Sequence, residues 1–361
     1  MLREAMMRRC LQLARNGAGA VAPNPMVGAV LAHDGHVLAE GWHRTYGGPH
    51  AEVECLRAFG DGPMPADAVL YVNLEPCAHH GKTPPCTDLL IARGVKRLVA
   101  GCEDPNPLTG GKGFARAREA GVEVAIGVLR DECRWLNRRF ITFHERQRPY
   151  VTLKWARSAD GYLDDHGKPA RISSNDTDLH VHKWRAEEQA ILVGGRTVLT
   201  DDPQLTVRLV EGRSPIRIVM DRRCLSPASA RVFDGAAPSL LVTEAEETPL
   251  PDGIIRHREG PALQEAVAVL LGKEIGVDAY MSRFGLPPVS SILVEGGATI
   301  LSAFLASGLW DEARVITGTC GFGGGTTAPV IMGPAVRTVM CGADRIDLFV
   351  NGDAPDDAWA W

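Results

Sequence analysis

Short apolar runs of strand length alternate with helically periodic stretches along most of the chain, and the alternation restarts near residue 148. In the first series "VGAVLA" (27–32) and "HVLAEGW" (36–42) read as paired strands joined by a turn at Asp34-Gly35. A helix from His50 to Ala58, a strand "AVLYVNL" (68–74), a helix from Pro85 to Arg93 and a strand "RLVAGC" (97–102) follow. Then come a helix "KGFARAREAG" ending at Gly121, a strand "VEVAIGV" (122–128) and one amphipathic helix, "LRDECRWLNRRFITFHERQ" (129–147). Strands that alternate with helices bury a sheet between helical layers, so the expected class is a three-layer α/β domain.

The stretch "RQRPY" (146–150) reads as a boundary, dividing the chain into domains of 1–146 and 147–361. Beyond it lie strands "YVTLKWA", "AILVGG", "IRIVMD", "SLLVT" and "SSILVEGG". Helices "DTDLHVHKWRAEE" (176–188), "ALQEAVAVLLGKEI" (262–275) and "ATILSAFLASG" (298–308) accompany them, with a loop over "YMSRFGLPP" (280–288). The halves do not resemble each other.

Composition excludes several classes. A net charge of −5 with 6% aromatics offers no basic face for nucleic acid. No run of 18 uncharged apolar residues exists, so no membrane span is expected. The N-terminal "MLREAMMRRCLQLARNG" is cationic but helically periodic, with no signal-peptide core, and reads as the first helix of a domain. Nine scattered cysteines argue against a disulfide framework and for the cytoplasm.

Two cysteines stand apart. In "PHAEVECL" (49–56) a glutamate follows a histidine at two residues, and "EPCAHHGKTPPC" (75–86) places Cys77 and Cys86 in polar, proline-rich surroundings. His-x-Glu followed by Pro-Cys and a further cysteine is the pattern of zinc-dependent base deaminases, although here eight residues separate the cysteines. His50, Cys77 and Cys86 would give zinc three ligands and leave a position for water. Glu52, too close to His50 in sequence to reach the same metal, would serve as proton shuttle. Pro76 fits a helix that presents its thiolates from the first turn. A structural site with His79 or His80 as fourth ligand is the alternative.

Together "PNPMVGAV" (23–30), "GGPHAEV" (47–53), "EPCAHHGKTPPC" and "EDPNP" (103–107) resemble the bifunctional riboflavin-biosynthesis deaminase/reductase family, RibD. The resemblance implies a cytidine-deaminase-like N-terminal domain in which the long cysteine spacing is normal and Cys86 remains a ligand. It implies a phosphorylated ribosylamino-diaminopyrimidinone as substrate, with Lys82 and Thr83 at its phosphate. Asn24, Asp104 and Asn106 would bond its pyrimidine and ribose.

From 148 onward "LKWARSADGYL", "WRAEEQAILVGGRTVLTDDPQLTVR", "IRIVMD" and "ILVEGGATILSAFLASGLWDE" resemble the family's reductase domain, which is dihydrofolate-reductase-like and uses NADPH. By position, Thr197, Asp201, Gly297, Ala298 and Thr299 would bind the cofactor. Arg185, Leu205, Arg208 and Glu295 would hold the sugar phosphate, and Lys154 would act at the hydride-accepting carbon. Arg157 stands where the family has a small residue, Arg171 where it has an aromatic, and Arg222-Arg223 where a small hydroxyl residue is commoner. A deaminase whose reductase half has been repurposed, and an RNA-editing deaminase, are the competing readings. Two active sites passing one unstable intermediate make a homo-oligomer an expectation.

Overall fold

The structure is a computed structural model that describes residues 2–78, 84–107, 109–245, 254–257 and 288–353. The helix expected at 262–275 and all but Pro288 of the loop expected over 280–288 lie outside these residues. The chain divides into two compact units between Gln147 and Arg148.

The first unit is a five-stranded sheet between two helical layers. Its strands are β1 (Gly28–His33), β2 (His36–Trp42), β3 (Val69–Leu74), β4 (Arg97–Cys102) and β5 (Glu123–Ile126), in the order β2-β1-β3-β4-β5. The pairs β1–β2 and β1–β3 are antiparallel, and β3–β4–β5 are parallel. Asp34 and Gly35 both take positive φ, 48° and 79°, as a two-residue hairpin turn requires. Side chains alternate across the sheet. Ala29, Leu31, Leu70, Val72 and Leu98 face α2 (Ala51–Phe59), α3 (Cys86–Ala92) and α4 (Lys112–Glu119). Val30, Tyr71 and Val99 face α1 (Leu2–Arg15), α5 (Arg130–Leu136) and α6 (Arg138–Glu145).

The single helix expected over 129–147 is two helices, α5 and α6, broken at Asn137. The cause is the buried Asn137 side chain, whose Oδ1 accepts the Met26 N–H (2.7 Å) and whose Nδ2 donates to the Met26 carbonyl (2.9 Å). An asparagine that serves another segment's backbone competes with regular helix geometry.

The second unit has, among the described residues, a nine-stranded sheet in the order β10-β9-β8-β7-β11-β6-β12-β14-β13. Its elements are β6 (Tyr150–Arg157), α7 (Asn175–Glu187), β7 (Ala190–Gly194), α8 (Gly195–Asp201), β8 (Ile216–Met220), β9 (Ser239–Val242) and β10 (Ile254–His257). Then follow β11 (Ser291–Val294), α9 (Ala298–Ser307), β12 (Glu312–Thr317), β13 (Arg337–Cys341) and β14 (Asp344–Val350). Strands β10 to β12 in that sheet order run parallel, and β14 and β13 close the edge antiparallel. Val151, Leu153, Leu192, Ile218, Leu240, Ile292 and Phe304 form the core.

The glycine-rich run 318–325 folds over the β6 loop. A Cβ on Gly325 would meet the Asp164 carbonyl at 2.1 Å, and one on Gly318 the Ile172 carbonyl at 2.2 Å. Close backbone approach therefore explains these glycines.

Candidate active sites

His50 is the N-cap residue of α2, and Glu52 lies in that helix's first turn. Helix α2 can press against β2 because residue 41 is glycine: a Cβ there would sit 2.3 Å from the Cys55 nitrogen. Cys86 is the first residue of α3, whereas Cys77 lies in the segment after β3, so the expected helix presents only one of the two sulfurs. Cys77 is brought to it by hydrogen bonds. The Cys86 N–H donates to its Sγ (3.3 Å), the Thr87 N–H to its carbonyl (3.2 Å), and the Thr87 hydroxyl to the same carbonyl (3.0 Å).

The His50 Nδ1 lies 3.6 Å from Cys77 Sγ and 3.3 Å from Cys86 Sγ, and all three ligand atoms fall within 4.8 Å of one another. Tetrahedral zinc with such ligands separates them by ~3.6 Å, so the donor set and its spacing suit that metal. The groups hold their protons jointly. Hydrogen bonds from Cys86 and His50 keep the Cys77 thiol well below its ordinary value, and the same bond with Cys77 drives Cys86 up. His50 is raised to about 9, chiefly by its bond to Cys77. An arriving cation displaces such protons, which ties affinity to pH.

Glu52 is buried, 3% exposed, and burial raises its pKa against the opposing charge of His50. It lines a cavity of about 300 Å³ together with His50, Cys77, Asn24, Asp104 and Asn106. Asp104 is pushed up to about 7, chiefly by burial. Lys82 and Thr83 lie outside the described residues, as do His79 and His80.

Three residues that support this cavity carry little sequence signal. Burial lowers the pKa of His43; its Nδ1 donates to the Pro49 carbonyl (2.8 Å), and in the tautomer this leaves, Nε2 accepts from Asn24 Nδ2 (3.2 Å). Asn73, buried within β3, accepts the Gly28 N–H (2.8 Å) and donates to the Met26 carbonyl (3.0 Å). Glu75 holds the turn that carries Asp104. A polar residue inside an apolar strand run, as in "LYVNLEP", is the one hint available.

The second unit has a cavity of about 990 Å³ at the C-terminal ends of its parallel strands, where open α/β sheets bind ligands. Lys154, Thr197, Asp201, Glu295, Gly297, Ala298 and Thr299 all line it. Helix α9 begins after Gly297 (φ 77°) with no side-chain cap, so its first N–H groups suit a phosphate. A Cβ on Gly195 would lie 2.5 Å from the Asp221 carboxyl carbon, and one on Gly296 3.1 Å from Thr197 Oγ1, so bare backbone forms this wall. These features fit a dinucleotide.

Glu295, whose side chain is 5% exposed, accepts two hydrogen bonds from Arg185 (2.7 and 2.8 Å), and Lys154 lies 3.6 Å away. Arg185 is thus separated from the cavity by Glu295 and is not among the residues that line it. Leu205 is buried, and Arg208 bonds the Thr206 hydroxyl (2.8 Å); neither lines the cavity. Arg171 and Arg222 do line it. Arg171 is paired with Asp178 (2.7 Å), while Arg157 bonds the Thr317 hydroxyl (3.1 Å) elsewhere.

The model of the cytidine and deoxycytidylate deaminase zinc-binding region matches residues 2–102, and that of the RibD C-terminal domain matches residues 149–347. The riboflavin biosynthesis protein RibD of Aquifex aeolicus is 38% identical over 344 residues, 94% of this chain and 91% of that one. The chain belongs to the RibD family. RibD of Escherichia coli is 38% identical over 330 residues, covering 86% of each chain. A solved deaminase/reductase from Thermotoga maritima, a diaminohydroxyphosphoribosylaminopyrimidine deaminase and 5-amino-6-(5-phosphoribosylamino)uracil reductase, superposes with TM-score 0.85 at 36% identity, over 96% of this chain and 98% of that one. Acinetobacter baumannii RibD gives 0.82 at 31%. As a RibD, the chain is a two-domain riboflavin-biosynthesis enzyme with a zinc-dependent deaminase half and an NADPH-dependent reductase half. Among the described residues no helix is long and apolar enough to cross a membrane.

Proposed function

We propose that the first cavity deaminates 2,5-diamino-6-(5-phosphoribosylamino)pyrimidin-4-one, and that the second reduces the ribosyl of the product to a ribityl chain. The observation that carries the first step is the enclosed Glu52 on one cavity wall with His50 and Cys77, in the cavity that Asn24, Asp104 and Asn106 also line. In this reading His50, Cys77 and Cys86 hold zinc, which when bound makes its water acidic enough to supply hydroxide near neutral pH. Glu52 takes one proton of the attacking water on its carboxylate and passes it to a ring nitrogen, then takes the second from the newly added hydroxyl and passes it to the amino group, which leaves as ammonia. Its raised pKa suits a group that must both accept and release a proton. Asn24, Asp104 and Asn106 orient the pyrimidine and ribose, and Lys82 and Thr83 take the phosphate.

For the second step Gly297, Ala298 and Thr299 receive the pyrophosphate, and Thr197 and Asp201 line the nicotinamide nucleotide. Bound NADPH supplies the hydride. Lys154, held by Glu295, donates a proton or binds a sugar hydroxyl at the accepting carbon. Arg208 would take the sugar phosphate by turning from the Thr206 hydroxyl toward the cavity it does not line, Arg185 acts through Glu295, and Leu205 supports the wall from behind. The nine free cysteines support a reducing, cytoplasmic setting for this chemistry.

Incubating the purified protein with the diaminopyrimidinone nucleotide tests both steps. Without NADPH, mass spectrometry should find oxygen in place of one amino nitrogen; with it, NADPH oxidation should follow deamination. An unchanged nucleotide in both arms would overturn the reading.

A further inference from the structure

We propose that Glu75 is a positioning residue of the deaminase cavity, fixing the turn that carries Asp104 and Asn106 relative to the Cys77 segment. The proposal rests on the deaminase reading above. The Glu75 carboxylate is 4% exposed and accepts hydrogen bonds from four backbone N–H groups. Oε2 takes those of Asp104 (3.2 Å) and Gly111 (2.9 Å), and Oε1 those of Gly113 (2.9 Å) and Phe114 (3.1 Å).

These donors sit at both ends of one loop. Asp104 follows β4, and Gly113 and Phe114 lie in the first turn of α4, whose N-cap residue, Gly111, has no side chain with which to cap it. Glu75 supplies that cap from a distant strand end, and the opposite charge of the helix terminus favours it. Between the anchors the loop closes on itself. The Asn106 N–H donates to Asp104 Oδ1 (2.8 Å), and the N–H groups of Thr109 and Gly110 donate to the Asn106 carbonyl (both 2.8 Å).

The segment on the other side is equally constrained. The Glu75 N–H donates to the Cys102 carbonyl (3.0 Å), and Cys77 lies two residues further along the chain. A Cβ on Gly113 would meet the Pro76 carbonyl at 2.0 Å, so α4 is seated directly against the Glu75–Cys77 strand exit. One carboxylate therefore sets the separation between a sulfur of the metal cluster and the two polar side chains proposed to read the substrate. Changing it should misplace Asp104 and Asn106 while leaving His50, Cys86 and Glu52 where they are.

The test compares wild type, Glu75→Gln, Asn106→Ala and the double variant in the full-length zinc-loaded protein. A glutamine turns an N–H₂ group toward two of the four N–H donors and so releases one end of the loop. Glu75→Gln should keep its zinc and its reduction of pre-deaminated nucleotide, with KM for deamination raised tenfold or more and kcat changed less than threefold. Glu75→Gln should raise KM by less on the Asn106→Ala background than on wild type, because the Asn106 share of its effect is already lost there. Multiplying effects, or loss of zinc with unchanged KM, would overturn the proposal. If Glu75→Gln is insoluble, Glu75→Asp, which keeps the charge on a shorter arm, carries the same comparison; insolubility of both would assign Glu75 to folding alone. A wild type that fails to deaminate would instead remove the reading on which the proposal stands.

Discussion

Arg185 and Glu295 face each other through two parallel hydrogen bonds, with Lys154 on the cavity side of the same carboxylate. Burial works against a charge on Glu295, but Arg185 and Lys154 outweigh it and hold the carboxyl at about 2. The pair keeps an anion beside Lys154 at every working pH, which fixes that ammonium at the cavity wall.

Acid should weaken the second unit through this pair. A glutamate whose ordinary value is 4.5 is depressed to about 2 on folding, so its contribution is complete above 4.5 and disappears as pH falls through 2. The full contribution is on the order of 3 kcal/mol. Urea unfolding of wild type at pH 6 and pH 3 should differ by more than that of Glu295→Gln. Equal differences would detach the ion pair from acid sensitivity.

Cys86→Ser should release the metal. Metal analysis of wild type should give about one zinc per chain, and the variant far less, because an alcohol does not replace a thiolate ligand. Deamination should vanish with the metal, and NADPH oxidation on pre-deaminated nucleotide should remain. A variant that keeps its zinc would return His79 and His80 to consideration.

Glu52→Gln preserves volume and removes the proton carrier. Zinc content should hold while deamination falls roughly 10²–10⁴-fold, the usual worth of a general acid–base group. Deamination within threefold of wild type would exclude Glu52 from proton transfer.

Gly297→Ala probes the proposed pyrophosphate wall. A φ of 77° strains any residue with a Cβ, and the new methyl would lie 3.4 Å from Thr197 Oγ1. Fluorescence titration should show NADPH binding weakened about tenfold, from ~1–2 kcal/mol of strain. Unchanged binding would move the cofactor away from α9.

The residues legible in the sequence are those whose chemistry restricts their type. His50, Glu52, Cys77 and Cys86 stand out because so few side chains bind zinc or shuttle a proton, and the β1–β2 turn stands out because Asp34-Gly35 tolerates positive φ. The supporting residues are silent, since Asn73, Glu75 and Asn137 act on backbone atoms that no pattern marks. Strand β12 is hidden for a different reason: its run is interrupted by Glu312 and Arg314, both fully buried and bonded to each other at 2.6 Å. Helix α8 opens on Gly194-Gly195 and lasts seven residues, too short for a helical period to show.

Asn137→Ala should raise KM for deamination severalfold with zinc retained. It removes two hydrogen bonds to Met26 and leaves that backbone less satisfied, at a cost of ~2–4 kcal/mol in the first unit's stability. Thermal unfolding and initial rates read both effects. A stable variant with unaltered KM would free Asn24 from this support.

The clamp on Met26 also shapes how variation in this chain must be interpreted. Asn24 is placed by its neighbour Met26, and Met26 is gripped by side chains 47 and 111 positions away. A substitution at Asn137 therefore masquerades as a binding-site lesion while lying outside every substrate-reading stretch. Screens that rank variants by distance along the chain would file that change as neutral, although it lies in the break between two helices whose asparagine holds Met26.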